Sequence, residues 1–317
     1  MKKLLLVLIM LALVLPAFAD DAKVLPKGVL RTYLAPSYTT ITEVYDADGE
    51  ATDVGVAETK LLNLGAALEY GITDWVNLGL QWGPGVNVYW DVDGNDDVQL
   101  NVPSELFVGS KVQIVGPQAP VMNDQFRVAA SLGALVPMAF GYDAEDESTN
   151  MMSGKEYKNP TSTNATAIGA RFHADYVVNK MFFMNIYSEY QYRFPVKKEK
   201  AALSDYGAAL GAAEDEIDYG YKLTLEAEPH FAYMVADGVE MSAGLPITYV
   251  ATPETKIGDN GLDNASKKLT LAPSVSAFLT SIPLPLEFKL GYSFPVMGEN
   301  TNKANTLVFQ LKAYMKF

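Results

Sequence analysis

Lys60-Leu-Leu-Asn-Leu-Gly-Ala-Ala-Leu-Glu-Tyr-Gly71 alternates between apolar and polar or small side chains. In an extended chain Leu62, Leu64, Ala66, Leu68 and Tyr70 share one face, and Asn63, Gly65, Ala67 and Glu69 share the other. After Thr73-Asp74, Val76, Leu78, Leu80 and Trp82 point one way and Asn77, Gly79 and Gln81 the other. The period is two on both sides of a tight turn, which is the pattern of an antiparallel hairpin with one apolar face.

The pattern recurs along the chain. Ile168, Ala170, Phe172, Ala174 and Tyr176 oppose Gly169, Arg171, His173 and Asp175. Tyr221, Leu223, Leu225, Phe231 and Tyr233 oppose Lys222, Thr224, Glu226, Glu228 and His230. Such segments fall near 28–40, 60–72, 75–90, 98–115, 126–141, 165–177, 181–196, 219–235, 239–251, 267–279, 286–296 and 306–317, twelve in all. An even number of antiparallel strands closes with both termini on one side. The reading is an all-β fold: a closed, antiparallel, up-and-down transmembrane β-barrel of about twelve strands.

The first residues explain how such a chain reaches a membrane. Met1-Lys2-Lys3 precedes an apolar run from Leu4 to Pro16, and Ala17-Phe18-Ala19 stands before Asp20. These are the basic n-region, apolar h-region and small-x-small site of a signal peptide, so residues 1–19 are read as cleaved and 20–317 as the barrel domain. The run is shorter than the about 20 apolar residues a membrane helix needs. With no cysteine in the chain, neither a lipid-anchored N-terminal cysteine nor a disulfide framework is available. The acidic balance, 38 Asp and Glu against 24 Lys and Arg, excludes nucleic acid as a partner. A hydrophobic fraction of 49% looks soluble only because lipid-facing and lumen-facing residues cancel along each strand.

Connections and charge are sorted by end. Those at 73–74, 116–125, 178–180, 236–238 and 280–285 are short; those at 41–59, 91–97, 142–164, 197–218, 252–266 and 297–305 are mostly longer and polar. The second set carries 25 acidic and 7 basic residues, whereas the rest of the mature chain is nearly neutral. Short periplasmic turns opposite long outer loops are the asymmetry of an outer-membrane barrel, and a soluble sandwich has no reason to sort charge this way. Tyr70, Phe126, Tyr176, Phe182 and Tyr233 lie on the apolar face near the turns, and Trp90, Phe194, Tyr221, Tyr249 and Phe294 near the loops, as two interfacial girdles require. Pro137, Pro195, Pro246 and Pro295 mark strand ends at the rim, while Pro229 and Pro273 lie deeper, where bulges are expected.

The last strand alternates through Leu311, Ala313, Met315 and the terminal Phe317. It resembles the C-terminal assembly signature of Gram-negative outer-membrane barrels, which implies the barrel-assembly machinery as a partner during biogenesis. Glu228-Pro-His-Phe-Ala-Tyr-Met-Val-Ala-Asp-Gly-Val-Glu-Met-Ser-Ala-Gly-Leu-Pro-Ile-Thr-Tyr249, echoed by Tyr70-Gly-Ile-Thr-Asp-Trp-Val-Asn-Leu-Gly-Leu80, is similar to the porin-like transporter barrels associated with phenol meta-cleavage pathways. That resemblance implies a channel and assigns no binding residue.

With the apolar face on lipid, the lumen collects Arg127, Arg171, His173, Asp175, Glu189, Arg193, Lys222, Glu226, Glu228, His230, Glu287, Lys289 and Lys312 as candidate pore-lining residues. Opposed acidic and basic rows orient polar solutes; equally, a salt-bridged interior stabilises a closed barrel. Tyr89, Phe107, Phe183, Tyr187 and Phe278 fall on the same face, as contacts for a ring-bearing solute or as filling. A hydrolase of the outer-membrane phospholipase type is disfavoured, because both histidines, His173 and His230, point inward without a serine motif beside them. No cofactor is implied. Asp91, Asp93 and Asp96 have the composition of a calcium loop, but Gly94 stands fourth instead of sixth and Val102 twelfth, so turn formation competes with a surface cation site. The alanine-rich 197–218 connection is expected to hold a short helix at the mouth. The expectation is a channel for passive diffusion of small solutes, its acidic loops favouring cations; the alternative is a closed barrel acting as a surface structural protein or adhesin.

Overall fold

The computed structural model describes residues 21–53, 59–91, 98–100, 105–160 and 162–317. Residues 1–19, read above as a signal peptide, lie outside them, as do Asp93, Asp96 and the side chains of Tyr89, Trp90 and Asp91.

Twelve strands form the barrel wall: β1 (Val29–Tyr45), β2 (Thr59–Thr73), β3 (Val76–Asp91), β4 (Leu106–Gly116), β5 (Phe126–Val136) and β6 (Ala167–Val177). They continue as β7 (Phe182–Arg193), β8 (Tyr221–Ala236), β9 (Val239–Gly244 and Ile247–Thr252), β10 (Ser266–Leu271 and Ser274–Leu279), β11 (Leu286–Glu299) and β12 (Thr301–Lys316). Each pairs antiparallel with its chain neighbours, as in Leu68↔Leu80 and Ala174↔Ile186. Closure is β1 on β12, running from Val29↔Lys316 to Tyr45↔Thr301. No sheet edge is left, which removes the unpaired backbone groups that a lipid surface cannot satisfy.

The alternation read from sequence sets which face meets what. Leu64 is 49% exposed and Leu132 69%, while inward neighbours such as Asn63 and Ser131 are buried. An exposed band of this width is costly in water and favourable in hydrocarbon, and the barrel's interior takes the polar half of each strand. Phe126 stacks on Tyr176 at 4.9 Å near the turns, and Tyr190 on Tyr221 at 5.5 Å near the loops, as two girdles demand. No helix among the described residues is long and apolar enough to cross a membrane; strands make the crossing.

Three expectations are corrected. The 297–305 connection is not a loop: β11 and β12 run on to Glu299 and Thr301 and turn at Asn300, whose φ of 47° a short amide side chain tolerates. Pro229 and Pro273, where bulges are expected, cause no register shift. Gly244↔Ser274 and Ile247↔Leu271 keep one register across Pro246 and Pro273, and β8 to β9 does the same across Pro229. Proline removes a donor, so ladder bonds drop out locally without an extra residue entering; the register shifts stand elsewhere, at Ile41/Glu43, Leu64/Ala66, Gly71/Thr73, Gln113/Val115, Met234/Ala236 and Leu269/Thr270. Third, strand β1 continues through Ile41–Tyr45 and folds back on Ala51–Asp53, where a loop was expected.

At the loop end, α1 (Ala144–Met152) starts at the Asp143 cap, whose side chain accepts from the Glu145 N–H. The expected mouth helix is α2 (Leu203–Ala209). A small sheet of Val196–Lys197, Glu216–Asp218, Lys256–Ile257 and Asn260–Gly261 ties two loops together. At the turn end, residues 21–27 enter the barrel instead of trailing from it. The Ala22 N–H donates to Asp175 Oδ1 at 2.9 Å, Leu25 N–H to Asn77 Oδ1 at 3.1 Å, and Lys111 Nζ to the Asp21 carbonyl at 2.9 Å.

Candidate functional site

All thirteen candidate lumen residues point inward, and the structure shows which of them meet. Near the turns Arg31 Nη2 is 2.5 Å from Glu69 Oε2, and Lys312 Nζ and the Tyr314 hydroxyl each donate to Glu287 at 2.9 Å. Arg127 stands 3.6 Å from Asp175, whose other oxygen holds Ala22. Thus the carboxylate between β5 and β7 anchors the entering segment, and Lys23 lies 5.7 Å from the Phe183 ring centre.

Midway along, Arg171 gathers three partners: Glu189 at 2.5 Å, Gln81 Oε1 at 2.6 Å, and the Phe107 face at 3.7 Å. Arg171 and Glu189 are direct cross-strand neighbours, so their pairing follows from the register. Phe107 lies flat against the wall because Gly109 and Gly133 leave its ring room; a Cβ at either would meet ring atoms closer than 3.0 Å. His173 is fully buried and bonds Ser131 Oγ at 3.0 Å, sealed in the lumen wall.

A second cluster lies on β8. Glu228 meets Lys289 at 3.3 Å and His230 Nε2 at 3.0 Å, and His230 stacks on Phe183 with ring centres 4.4 Å apart. His230 Nε2 also lies 3.2 Å from the Asn185 amide nitrogen. One ring nitrogen cannot accept from an amide while donating to a carboxylate; turning the amide so that its oxygen faces the ring lets a single Nε2–H serve both. Gly244 makes the space, since a Cβ there would stand 2.6 Å from Glu228 Oε1. Glu226 accepts from the Thr248 hydroxyl at 2.6 Å through one oxygen, and its other oxygen is buried without a donor among the described residues.

At the loop end the pairing stops. Arg193, Lys222 and Lys268 face the lumen with no carboxylate of a described residue within salt-bridge distance. Above them the loops pack on one another: the Tyr219 hydroxyl donates to Asp205 at 2.7 Å, and the Tyr142 hydroxyl to the Ala201 carbonyl at 3.0 Å. Burial raises the Asp205 carboxyl to about 6, against the lowering by its hydrogen bond from Tyr219. Burial and the Asp205 charge push the Tyr219 hydroxyl well above its ordinary range.

Glu69, Asn77 and Gln191 fell on the polar face in the sequence reading without being named as lumen candidates, and Arg31, Lys111, Ser131 and Lys268 were missed, all inward by the same parity used for the others. Parity alone finds them. What it cannot find is the entry of residues 21–27, which belong to no periodic segment. Among the described residues no group of His, Asp and Glu is arranged to hold a metal.

No protein-family model matches the chain, and no curated protein is similar to it in sequence. Among solved structures, an outer membrane channel from Pseudomonas putida F1 superposes with a TM-score of 0.65 at 12% identity, over 96% of this chain and all (100%) of that one. NanC porin gives 0.45 at 7% identity over 90% and 100% of the two chains. A FadL homologue of Pseudomonas aeruginosa gives 0.39 at 12% over 91% and 90%. The first likeness is one of fold; the other two are too distant in shape to argue from. The chain is a twelve-stranded outer-membrane β-barrel.

Proposed function

We propose that the barrel is a passive outer-membrane channel for small solutes, with the inward charges as its pore lining. The observation that carries this reading is the state of the interior polar groups. Lys222 and Lys268 are only partly buried inside the barrel and have no counter-ion among the described residues. An unpaired charge taken out of water costs several kcal/mol, so a dry, closed interior is a poor home for these groups. Water in the lumen satisfies them, and a hydrated lumen is a path. The solved outer membrane channel of similar fold supports the same reading.

A closed structural barrel is the second reading, favoured by the ion pairs at Arg31, Arg127, Arg171, Lys289 and Lys312 and by the segment 21–27 lodged at the turn end. Planar-bilayer recording separates the two. Discrete conductance steps from folded protein support the channel; adhesion lost on deleting 142–164 or 197–218, from a barrel that never conducts, supports the rival. The outward row Leu311, Ala313, Met315 and Phe317 is proposed as the signal read by the barrel-assembly machinery.

A further inference from the structure

We propose that Arg193, Lys222 and Lys268 form an anion-binding site at the loop end of the lumen, which takes the carboxylate, phosphate or sulfate group of a small solute. The inference rests on the channel reading and names the charge class of what it admits.

The three cations are brought together by register. Lys222 stands opposite Gln191 on β7, two residues from Arg193, whose N–H donates to the Gly220 carbonyl at 2.8 Å. Lys268 stands opposite Val250, which stands opposite Thr224, so Lys268 and Thr224 lie in one row across β8, β9 and β10, one inward step below Lys222. Lys222 is within electrostatic reach of both Arg193 and Lys268. Their height is that of Tyr221 in the outer aromatic band, just beneath the loop layer of Tyr219 and Asp205.

Counter-charge is what the site lacks among the described residues. Lys222 feels two acids, Glu189 and Glu105. Glu189 is held by Arg171 at 2.5 Å, and Glu105 accepts from the Thr163 hydroxyl at 3.2 Å without pairing to a base. Three cations against one free carboxylate leave a local excess of two positive charges. Deeper in the same lumen Arg31, Arg127, Arg171, Lys289 and Lys312 each face a carboxylate within 4.0 Å. A chain able to pair its interior bases there leaves these three without a carboxylate, among the described residues, at the outer end. A partly buried cation without a partner is unfavourable, and an arriving anion relieves several at once. Arg193 offers a planar fork, the two lysines offer point charges, and the buried Thr224 hydroxyl adds a donor. The site also lies directly inside loops rich in Asp and Glu. Those loops favour cations at the mouth, and the basic site sets the opposite preference at the first narrowing.

The test uses full-length folded barrel in planar bilayers under a potassium chloride gradient, with inorganic phosphate, acetate or choline added on the loop side. Wild type is expected to show a reversal potential on the chloride side, with concentration-dependent blockade by phosphate or acetate and none by choline. Phosphate acting and acetate not identifies a phosphate-type ligand; the reverse identifies a carboxylate. The double variant K222Q/K268Q is expected to move the reversal potential toward potassium and weaken the blockade at least tenfold. R193Q gives a smaller loss in the same direction. Lys267→Gln removes an equal charge from an exposed lysine paired with Glu299, and is expected to leave both readouts unchanged. Retained heat-modifiable gel migration shows that each variant folds. Calorimetric titration of the detergent-solubilised protein with phosphate separates the two ways to fail. Saturable heat lost in K222Q/K268Q from a barrel that does not conduct ends the channel reading and keeps the site. Conductance without anion preference, blockade or phosphate heat overturns the site and keeps the channel.

Discussion

Replacing Asp175 by alanine is expected to release the segment 21–27 from the lumen. Asp175 Oδ1 accepts the Ala22 N–H at 2.9 Å, and Ala22 is 0% exposed. A hydrogen bond to a charged group contributes about 1.5–3 kcal/mol, which corresponds to roughly a 10- to 150-fold change in the ratio of docked to released segment. Three further anchors survive, Asn77 holding Leu25, Asp74 holding the Lys27 N–H and Lys111 holding the Asp21 carbonyl, so release in the single variant is partial. Asp175→Ala with Asn77→Ala removes two of these four anchors and carries it further. Single-channel recording reads the result. Protein lacking residues 21–26 defines the conductance of the cleared lumen; Asp175→Ala is expected to alternate between that level and the wild-type level, and the double variant to dwell mostly at it. If the truncated protein conducts no more than wild type, the segment does not obstruct the path. If truncation raises conductance while both substitutions leave it at the wild-type level, the hydrogen bonds accepted by Asp175 and Asn77 are not what hold the segment.

Three other expectations follow from individual contacts. Asp205 has a folded-state value near 6, above the ordinary 3.8, so its contribution to loop docking is fully present below about pH 4 and is lost as pH rises through 6; two units correspond to at most about 3 kcal/mol. Limited proteolysis of the 197–218 loop should therefore quicken between pH 4 and 7, and Asp205→Asn should flatten the profile; an unchanged profile refutes the assignment. Arg171→Ala leaves Glu189 buried without its partner, at a cost of about 3–5 kcal/mol, read as a lower urea midpoint, with Arg171→Ala/Glu189→Gln recovering part of it. Deleting Phe317, whose ring is 80% exposed at the rim, is expected to lower outer-membrane yield several-fold while the refolded protein keeps its urea midpoint; equal yields count against an assembly role.

The barrel was legible because two-residue periodicity is a local property: Leu62 to Tyr70 need no knowledge of their neighbours to declare a face. Strand number and inward parity followed from the same signal, and the thirteen inward residues with them. What stayed hidden depends on cross-strand register and on segments without period. Arg171 with Glu189 is a direct pair across one turn, yet Arg171 with Gln81 joins residues 90 apart and needs the closed curvature to meet. Pro229 and Pro273 signalled a broken ladder, but loss of a donor and insertion of a residue look alike in sequence, and only the first occurred. The tight turn at Asn300 was masked by polar residues on both sides, which read as loop although they continue two strands. Residues 21–27 are too short and aperiodic to announce that they enter the barrel.

The most direct test of the hydrated path is single-channel recording of the folded full-length protein beside its 21–26 deletion. The account predicts discrete steps from both, larger from the deletion. Silence from both, in protein whose heat-modifiable migration shows an intact barrel, contradicts it.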